Sequence, residues 1–543
     1  MKGYLFILLS ILSCNILQAQ PFTPGWQWAL GASSLASEGG TDVCADANGY
    51  VYAVGVIDGT TMIGSQQLSN GSFIAKYTSG GTCLWSKLLP GGDTVETRGI
   101  VTAKDGSIYI NGTLKYPCII GSDTMSPAGI FIAKFDTAGN IIWARGGGNT
   151  VDEIIIHNLS VDDNGNVTVV GNTYLGNDIN FGGNIVSGSG SYMVRYNASG
   201  DLLFEKFLFK KGQADIFSVA TDVAGNVYAS GFCSSDSVML DDGTLLVSPR
   251  TGERLLIIKY APSGNIIWAK TTSGGAAMAN AIVADKNGTN IYVTGEAEDT
   301  VNFGSVSSFP DYFGQLFVAK YDSSGAAIWV KRFGGPGNML SAGTYEYFAT
   351  DIIVDDNGNI NTGGNFREKL MFNGSHILAD AGANIYTAQF NPTGTFNWAL
   401  AGGGRIGTNF GGMCSTDGNL YTIGTYSGPN ATFGFHSLSG NIVGQTSNLF
   451  FAKIADVTDI QTTGQNTIQA TIYPNPAHNT ITVDHISVGT TICVVDVAGK
   501  VLSSKTAASG KETINIAALQ PGIYLLQLAD NNNSSKSFRI EKQ

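Results

Sequence analysis

Apolar and polar residues alternate in short runs along most of this chain. The stretch FIAKFDTAGNIIWAR, Phe131 to Arg145, holds two such runs on either side of a glycine turn. A period of two is typical of β-strands that bury one face, and a tight glycine turn joins two such strands. The stretch therefore predicts a β-hairpin.

Near-copies of this hairpin recur along the chain and indicate a repeat protein. Each copy has a position that is usually lysine. In every copy except the last, an aromatic residue lies nine positions after it. The first position is held by Lys76, Lys134, Arg195, Lys259, Lys320, Gln389 and Lys453, and the aromatic position by Trp85, Trp143, Phe204, Trp268, Trp329 and Trp398.

A second phrase precedes each copy, as in DANGYVYAVG at Asp46 to Gly55. It contains a turn glycine and then a strand that ends in another glycine. These final glycines lie 57 to 69 residues apart, a period that fits the four strands of a β-propeller blade. They are Gly55, Gly112, Gly171, Gly231, Gly295, Gly364 and Gly424.

The last copy, at Lys453, lacks its aromatic residue. The segment WQWALGA, Trp26 to Ala32, matches WALAGGG, Trp398 to Gly404, but no lysine phrase precedes it. Trp28 is therefore predicted to supply the outer strand that the final repeat lacks, which would leave no free sheet edge. The prediction is an all-β fold, a seven-bladed β-propeller over residues 22–456 that its N-terminal strand closes.

The two phrases together resemble a known family. An aspartate–glycine turn, a strand ending in glycine and the lysine–tryptophan hairpin are similar to the bacterial β-propeller repeats of the SBBP type. The resemblance covers roughly 80% of the chain. It implies the fold and little about activity, because propellers host many functions.

Loop lengths distinguish the two faces of such a propeller. With strands named A to D from the centre outward, the A–B and C–D turns are nearly constant, while the B–C connections and one D–A crossing vary. In an up-and-down blade both variable connections open on one face, and recognition commonly lies on such loops. We call this the variable face.

The longest D–A crossing leads into the sixth repeat and carries an aromatic cluster. Its residues Tyr345, Glu346, Tyr347 and Phe348 are predicted to bind a sugar or a protein partner. The alternative interpretation is that these rings plug one end of the central channel.

The net charge and the motifs limit the functions that the sequence supports. The net charge of −12 and the pI near 4.9 oppose binding to nucleic acid. Turns such as Asp162 to Gly165 are interpreted as Asx–Gly hairpins rather than calcium loops. The histidines lack zinc-site spacing, and no nucleophile or dinucleotide motif is present, so no catalytic residue, metal or cofactor is predicted. His157 falls in a predicted inner strand, where it either lines the channel or is a satisfied core residue.

Six cysteines follow Cys14 and show no dense disulfide pattern, so they are interpreted as buried small side chains. Cys44 and Cys414 lie in the first and last repeats, which ring closure would make neighbours. Because their positions within the repeat differ by one residue, their side chains are predicted to face in opposite directions. A disulfide between them is the alternative.

The N-terminus MKGYLFILLSILSCNILQAQ has one early cation and an apolar run, and predicts a secretory signal over residues 1–19 that is cut after Ala19. A weak lipoprotein box ending at Cys14 is the alternative. No later apolar run is long enough for an integral membrane span.

Residues 457–467 form a polar linker, and residues 468–543 predict a small β-sandwich. This tail resembles the type A C-terminal sorting domain of the type IX secretion system of Bacteroidota. The matching segments are PNP at 474–476, DVAGK at 496–500, LQPGIY at 519–524 and the basic end at 536–542. The resemblance implies that the secretion machinery is a partner and that the chain passes through the periplasm to be released or held at the cell surface.

The leading functional hypothesis is therefore a secreted or cell-surface propeller that binds a glycan or a protein through its variable face. The alternatives are a secreted polysaccharide- or peptide-degrading enzyme with its site at the channel mouth, and a structural spacer. No motif favours the enzyme.

Overall fold

The structure is a computed structural model that describes residues 24–32, 37–125, 129–148, 154–173, 178–182, 184–247, 252–308, 315–335, 347–372, 376–404, 407–440, 446–456, 470–496, 501–529 and 535–543. The predicted signal peptide with its cleavage site at Ala19 and the predicted linker at 457–467 lie outside these ranges. The described residues are folded as β-strands and turns, with one short 3-10 turn at Gly92–Thr94.

The strands of the repeat region follow one another in short antiparallel steps. They are β1 (Pro24–Ala32), β2 (Glu38–Ala45), β3 (Val51–Ile63), β4 (Gln66–Tyr77), β5 (Cys83–Leu88), β6 (Val95–Thr102), β7 (Ile108–Leu114), β8 (Cys118–Ile120), β9 (Asp123–Met125), β10 (Gly129–Phe135), β11 (Ile141–Gly148), β12 (Ile154–Val161), β13 (Val167–Thr173), β14 (Ile179–Phe181), β15 (Asn184–Val186), β16 (Gly190–Tyr196), β17 (Leu202–Phe207), β18 (Phe209–Lys211), β19 (Ala214–Thr221) and β20 (Val227–Cys233). The second half contains β21 (Ser237–Leu240), β22 (Leu245–Val247), β23 (Arg254–Tyr260), β24 (Ile266–Thr271), β25 (Ser273–Gly274), β26 (Ala277–Ala284), β27 (Asn290–Ala297), β28 (Val301–Phe303), β29 (Val306–Ser308), β30 (Leu316–Asp322), β31 (Ala327–Phe333), β32 (Tyr347–Val354), β33 (Ile360–Phe372), β34 (His376–Phe390), β35 (Phe396–Gly403), β36 (Gly407–Thr416), β37 (Asn419–Ser427), β38 (Asn430–Phe433), β39 (His436–Ser439) and β40 (Ser447–Asp456).

Within the described residues, seven sheets each contain four antiparallel strands in the predicted A-to-D order. They are sheet 1 (β2-β3-β4-β5), sheet 2 (β6-β7-β10-β11), sheet 3 (β12-β13-β16-β17), sheet 4 (β19-β20-β23-β24), sheet 5 (β26-β27-β30-β31), sheet 6 (β32-β33-β34-β35) and sheet 7 (β36-β37-β40-β1). None of these sheets closes on itself.

Several B–C connections contain small hairpins that reach the preceding sheet. The hairpin β14–β15 lies between strands B and C of sheet 3 but pairs with β11, the outer strand of sheet 2. The hairpin β38–β39 of sheet 7 pairs in the same way with β35 of sheet 6. The variable connections therefore form ordered structure across the junctions between sheets.

The sheets pack face to face, and each buried cluster combines side chains of two neighbouring sheets. Tyr109 of sheet 2 packs with Ile156 of sheet 3, for example. Val43 of sheet 1 packs with Tyr421 and Phe451 of sheet 7. The inner strand β36 contacts β2 in the same way that the inner strands of other neighbouring sheets contact each other.

Strand β1 is the outer strand of sheet 7. It runs antiparallel to β40, and Trp28 lies opposite Lys453. The outer-strand tryptophans of sheets 1, 2, 5 and 6 lie opposite the first residue of their own hairpin phrase in the same register, as Trp143 does with Lys134. The N-terminal segment therefore occupies the place of a missing D strand.

The lysine–tryptophan phrase joins one sheet to the next. Lys134 Nζ lies 5.2 Å from the centre of the Tyr109 ring and donates a hydrogen bond to the carbonyl oxygen of Ala198, in the C–D turn of sheet 3. Trp143 Nε1 donates to the same carbonyl at 3.1 Å. The indole also covers Gly200 in that turn, where the positive φ of +82° favours glycine.

The aspartates of the A–B turns hold the hairpin backbone. Asp162 Oδ1 accepts hydrogen bonds from the backbone N–H groups of Asn164 and Asn166, and Gly165 follows with a φ of +76°. The interpretation of these segments as Asx–Gly turns is confirmed. In sheet 3 the other carboxylate oxygen of Asp162 also forms a buried ion pair with Arg195, which replaces lysine there.

The prediction that Cys44 and Cys414 face oppositely is wrong. Cys44 lies opposite Tyr52 and Cys414 lies opposite Tyr421, which are equivalent positions in the two sheets. The two cysteines differ in their sequence distance from the turn glycine because the last A–B turn is one residue shorter. In that turn Thr416 pairs with Asn419, so only two residues lie between the paired positions.

Both thiols point into the junction with the following sheet. Cys44 packs with Ile100 of sheet 2, whereas Cys414 packs with Val43 of sheet 1. Both are buried and both are free thiols. Side chains that point in the same direction around successive sheets do not have the converging Cβ atoms that a disulfide needs.

The tail is a sandwich of a three-stranded and a four-stranded sheet. Its strands are β41 (Thr471–Tyr473), β42 (Thr480–Asp484), β43 (Thr491–Val495), β44 (Val501–Thr506), β45 (Lys511–Asn515), β46 (Gly522–Ala529) and β47 (Ser535–Lys542). Ile481, Val494 and Leu526 are among the buried residues between its sheets. Phe435 of the repeat region packs against Val495 and Leu525, on the other face of the four-stranded sheet.

Candidate functional site

A β-bulge interrupts every inner strand at an equivalent position. At each bulge one extra residue lies between two paired residues, as His157 does between Ile156 and Asn158. The bulged residues are Thr41, Arg98, His157, Phe217, Asn280, Thr350 and Gly411. Bulges twist a strand and redirect side chains, and they are common beside functional sites.

In several sheets the side chain after the bulge accepts a hydrogen bond from the neighbouring inner strand. Asp42 Oδ2 accepts a hydrogen bond from the backbone N–H of Ile100 in the next sheet at 2.9 Å. Asp351 Oδ2 accepts one from Met413 N–H at the same distance. Asn158 makes the equivalent contact in sheet 3. These side chains therefore fix the spacing of the inner strands.

Asp42 and Asp351 lie on either side of sheet 7. Burial raises the pKa of Asp42 to about 8, with a further contribution from the negative charge of Asp351. Burial also raises the pKa of Asp351. Both carboxyl groups are enclosed among inner strands and bonded to backbone N–H groups, so their geometry assigns them a structural role.

Glu296, at the end of the B strand of sheet 5, forms another junction. Its carboxylate accepts hydrogen bonds from the side-chain amide of Asn280 and from the backbone N–H of Ala349 in sheet 6. Burial raises the pKa of Glu296 to about 7. Burial raises the pKa of Glu253, with a further contribution from the negative charge of Glu298. Burial also raises the pKa of Glu298, with a further contribution from Asp299.

The inner strands begin at the variable face, and the side chain there differs in every sheet. Two residues before each bulge the chain has Gly39, Glu96, Ile155, Asp215, Met278, Phe348 and Asn409. Each is at least partly exposed, although its neighbours on the same strand are buried wherever their burial is described. We call this set the variable mouth.

Of the predicted aromatic cluster, one member falls in the variable mouth. Phe348 is 37% exposed and lies opposite Asn365 in sheet 6. Tyr347 begins β32, but its side chain lies outside the described part of the structure, as do Tyr345 and Glu346 entirely. The proposed binding role of these four residues is therefore still a prediction.

Three bulged residues of consecutive sheets, which we call the arc, combine a cation, an imidazole and an aromatic ring. Arg98, His157 and Phe217 occupy the bulges of three consecutive sheets. The His157 and Phe217 rings meet edge to face with centroids 5.3 Å apart, and Phe217 also contacts Phe232 at 5.6 Å. Burial and the nearby charge of Arg98 lower the pKa of His157 to about 4.

Sequence reasoning placed His157 in an inner strand but missed the arc as a unit. The turn glycine could have located the bulged residues. In six repeats the bulged residue lies eight positions before this glycine, as Arg98 does before Gly106. A bulge itself has no residue signature here, because the seven bulged residues share no chemistry. Their common position becomes visible only through the strand register.

The described ranges contain no metal cluster and no membrane-spanning helix. No three His, Cys, Asp or Glu side chains converge there in a way that could hold a metal ion. No helix in that part of the chain is long and apolar enough to cross a membrane.

Comparison with known families identifies the tail. Residues 471–541 match the family model of the secretion system C-terminal sorting domain. The chain therefore carries a sorting domain of the type IX system, which indicates export to the cell surface or secretion and interaction with the secretion machinery.

The chain is also similar to a protein with WD repeats. An uncharacterized WD repeat-containing protein of Acanthamoeba polyphaga mimivirus is 23% identical over 404 residues, 59% of this chain and 28% of that protein. The chain thus spans little more than a quarter of the length of this relative.

Solved structures with low similarity include propeller proteins. The WD40 domain of Neurospora crassa Pan2 is 9% identical, with a TM-score of 0.41, over 81% of this chain and 98% of that one. PorZ, a surface component of the type IX secretion system of Porphyromonas gingivalis, is 10% identical with a TM-score of 0.18, over 95% and 100%.

Proposed function

We propose that the chain is an exported binding protein whose repeat region recognises a glycan or a protein partner at the variable mouth. In this proposal the seven sheets form a seven-bladed propeller of SBBP-type repeats that β1 closes as its outermost strand. A signal peptide at residues 1–19 delivers the chain to the periplasm of a Bacteroidota-type cell, and the sorting domain then directs it outward.

One observation carries the proposal. The turn aspartates, lysine–tryptophan hairpins and inter-sheet hydrogen bonds recur from sheet to sheet, so they serve the fold. At the variable mouth the equivalent positions instead hold an acid, an amide, an aromatic ring and aliphatic side chains, as Glu96, Asn409 and Phe348 illustrate. Variation on a rigid scaffold is typical of a recognition surface.

The enzymatic alternative has a weaker basis in the acids of sheets 4 and 5. Carboxyl groups with raised pKa values are suited to general acid catalysis. However, Glu296 is committed to Asn280 and Ala349, and no nucleophile or metal-binding group converges on it among the described residues. The binding function therefore has the better support.

The first experiment is a glycan array probed with the mature chain, followed by affinity capture with a surface extract if the array is blank. The Phe348→Ala variant is compared with Leu84→Ala, which removes an exposed apolar side chain from the outer strand of sheet 1. We expect Phe348→Ala alone to weaken binding, about tenfold or more.

Equal binding by the wild type and Phe348→Ala would place recognition elsewhere. A folded chain that binds no glycan and no extract component in either assay would contradict a binding function and favour the spacer.

A further inference from the structure

We propose that Arg98, His157 and Phe217 form a subsite for a uronic acid, a sugar ring that carries one carboxylate. This inference rests on the proposed function and specifies a ligand class for the same end of the inner strands. The three residues belong to sheets 2, 3 and 4 and lie at equivalent bulges, so the scaffold holds them at one level.

Arg98 supplies an accessible cation. Half of its side chain is exposed, and its contact with Glu96 is long at 3.8 Å, because Glu96 binds Lys115 at 2.6 Å instead. A guanidinium has five N–H donors in a planar fork that matches a carboxylate. The contact with Glu96 also shows that Arg98 extends toward the start of β6 and hence toward the variable face.

His157 supplies a hydrogen-bonding group without a protein partner. Its Nε2 atom is buried and forms no hydrogen bond with any residue that the structure describes. Buried polar atoms are usually satisfied, and a bound hydroxyl group would satisfy this nitrogen. With a lowered pKa the imidazole is neutral at pH 7, and it can exchange a hydrogen bond with a sugar hydroxyl.

Phe217 supplies an apolar surface. Its ring contacts both His157 and Phe232, which fix its orientation, and it is only partly buried. Aromatic rings pack well against apolar ligand surfaces, including the C–H face of a sugar. The arc thus offers partners for a carboxylate, a hydroxyl and a ring face within three adjacent positions.

A uronic acid carries these three features on one ring, whereas an acidic peptide side chain carries only the carboxylate. The net charge of −12 opposes long polyanions, so the subsite is expected to take a single acidic sugar unit. This combination favours an acidic sugar over a nucleic acid or an acidic peptide.

The test compares two ligands that differ only at this group, methyl β-glucuronide and methyl β-glucoside. Binding to the mature chain is measured by ligand-observed NMR titration and calorimetry. We expect the glucuronide to bind at least about tenfold more tightly than the glucoside, because charge-assisted hydrogen bonds are the stronger ones.

Arg98→Gln should abolish the preference for the glucuronide. His157→Phe keeps an aromatic ring of similar size and should weaken the binding of both ligands. The control is Lys104→Gln, which removes an exposed cation from the A–B turn of the same sheet, at its opposite end. Melting curves of all variants check that each is folded.

Equal affinity for the two glycosides, no binding of either, or an unchanged preference in Arg98→Gln would overturn the subsite. If array glycans bind and depend on Phe348 under those conditions, the proposed function survives while the subsite fails. Binding of an acidic peptide in preference to the glucuronide would likewise reject the sugar assignment.

Discussion

Residues Lys134 and Trp143 show what a sequence pattern can and cannot predict. Their repeated spacing belongs to a predicted hairpin, and the strand register places the two residues opposite each other. The spacing does not show that both donate to Ala198 of the next sheet, because that contact depends on how two sheets pack. Local pairing follows from the pattern, and inter-sheet contacts require the tertiary structure.

The turn glycines provide the stability test at this scale. In Gly139→Ala a Cβ atom would lie 2.7 Å from the Trp85 ring, at a φ of +74°. Steric overlap and backbone strain together should lower the free energy of unfolding by about 2–4 kcal/mol. Gly182→Ala is the control, because its φ is also positive at +63° but no heavy atom lies within 4 Å.

Chemical denaturation of the two variants measures the difference. Gly139→Ala should lose at least about 1 kcal/mol more than Gly182→Ala. Similar losses in both would show that the tryptophan contact contributes little and that backbone strain explains the effect.

At the scale of elements, the inner strands were predicted but their bulges were not. The strand β12 was predicted as an inner strand that contains His157, yet the extra residue at the bulge shifts the pairing register with β13. Cys44 and Cys414 illustrate the same difficulty, since a one-residue change in the A–B turn misled the comparison of their phases. Register depends on hydrogen bonding between strands, which a single sequence shows only indirectly.

The junction at Glu296 predicts a pH dependence of stability. Its pKa rises from 4.5 to about 7 on burial, so the folded state holds a proton that the unfolded state has already released. Stability should therefore fall as pH rises from about 4.5 to 7, by an amount on the order of 1–3 kcal/mol. In Glu296→Gln this part of the decline should disappear.

Urea titrations at several pH values test this expectation, with Glu205→Gln as a control in a more exposed position. A decline of the same steepness in the wild type and in Glu296→Gln would assign the pH dependence to other groups, such as Asp42.

Strand β1 gives the second test at this scale. Deleting residues 22–32 removes Trp28 and leaves β40 as an unpaired edge. Exposed edges promote association, and the Trp28 contact with sheet 1 is also lost. We expect a lower melting temperature and oligomers in light scattering. A truncated chain that stays monomeric and equally stable would contradict the role of β1 as the outer strand that covers β40.

At the scale of the whole molecule, the repeated four-stranded sheets and the sorting tail were accessible from the sequence, but the residues of the variable mouth were not. Repeat period and strand alternation predicted four-stranded sheets, and spaced motifs predicted the sorting tail that the family model matches. The variable mouth was missed because its residues share no motif, and only the register aligns them. Phe348 alone was predicted as a binding residue among those in the variable mouth.

The sorting domain predicts that export requires the tail. Deleting residues 468–543 should retain the chain in the periplasm, because the sorting domain directs passage across the outer membrane. Immunoblots of periplasm, outer surface and medium measure the distribution, and Tyr473→Ser, an exposed substitution in the tail, serves as the control. Continued arrival of the truncated chain at the surface or in the medium would contradict this role.

The most direct test of the central claim is hydrogen exchange of the mature chain with and without the glycan or partner that binds it most tightly in the array or capture assay. We expect protection at the variable mouth, around residues 95–98 and 214–217, and no change at the A–B turns such as 104–107. Protection confined to the A–B turns or to the tail would show that recognition does not take place at the variable mouth.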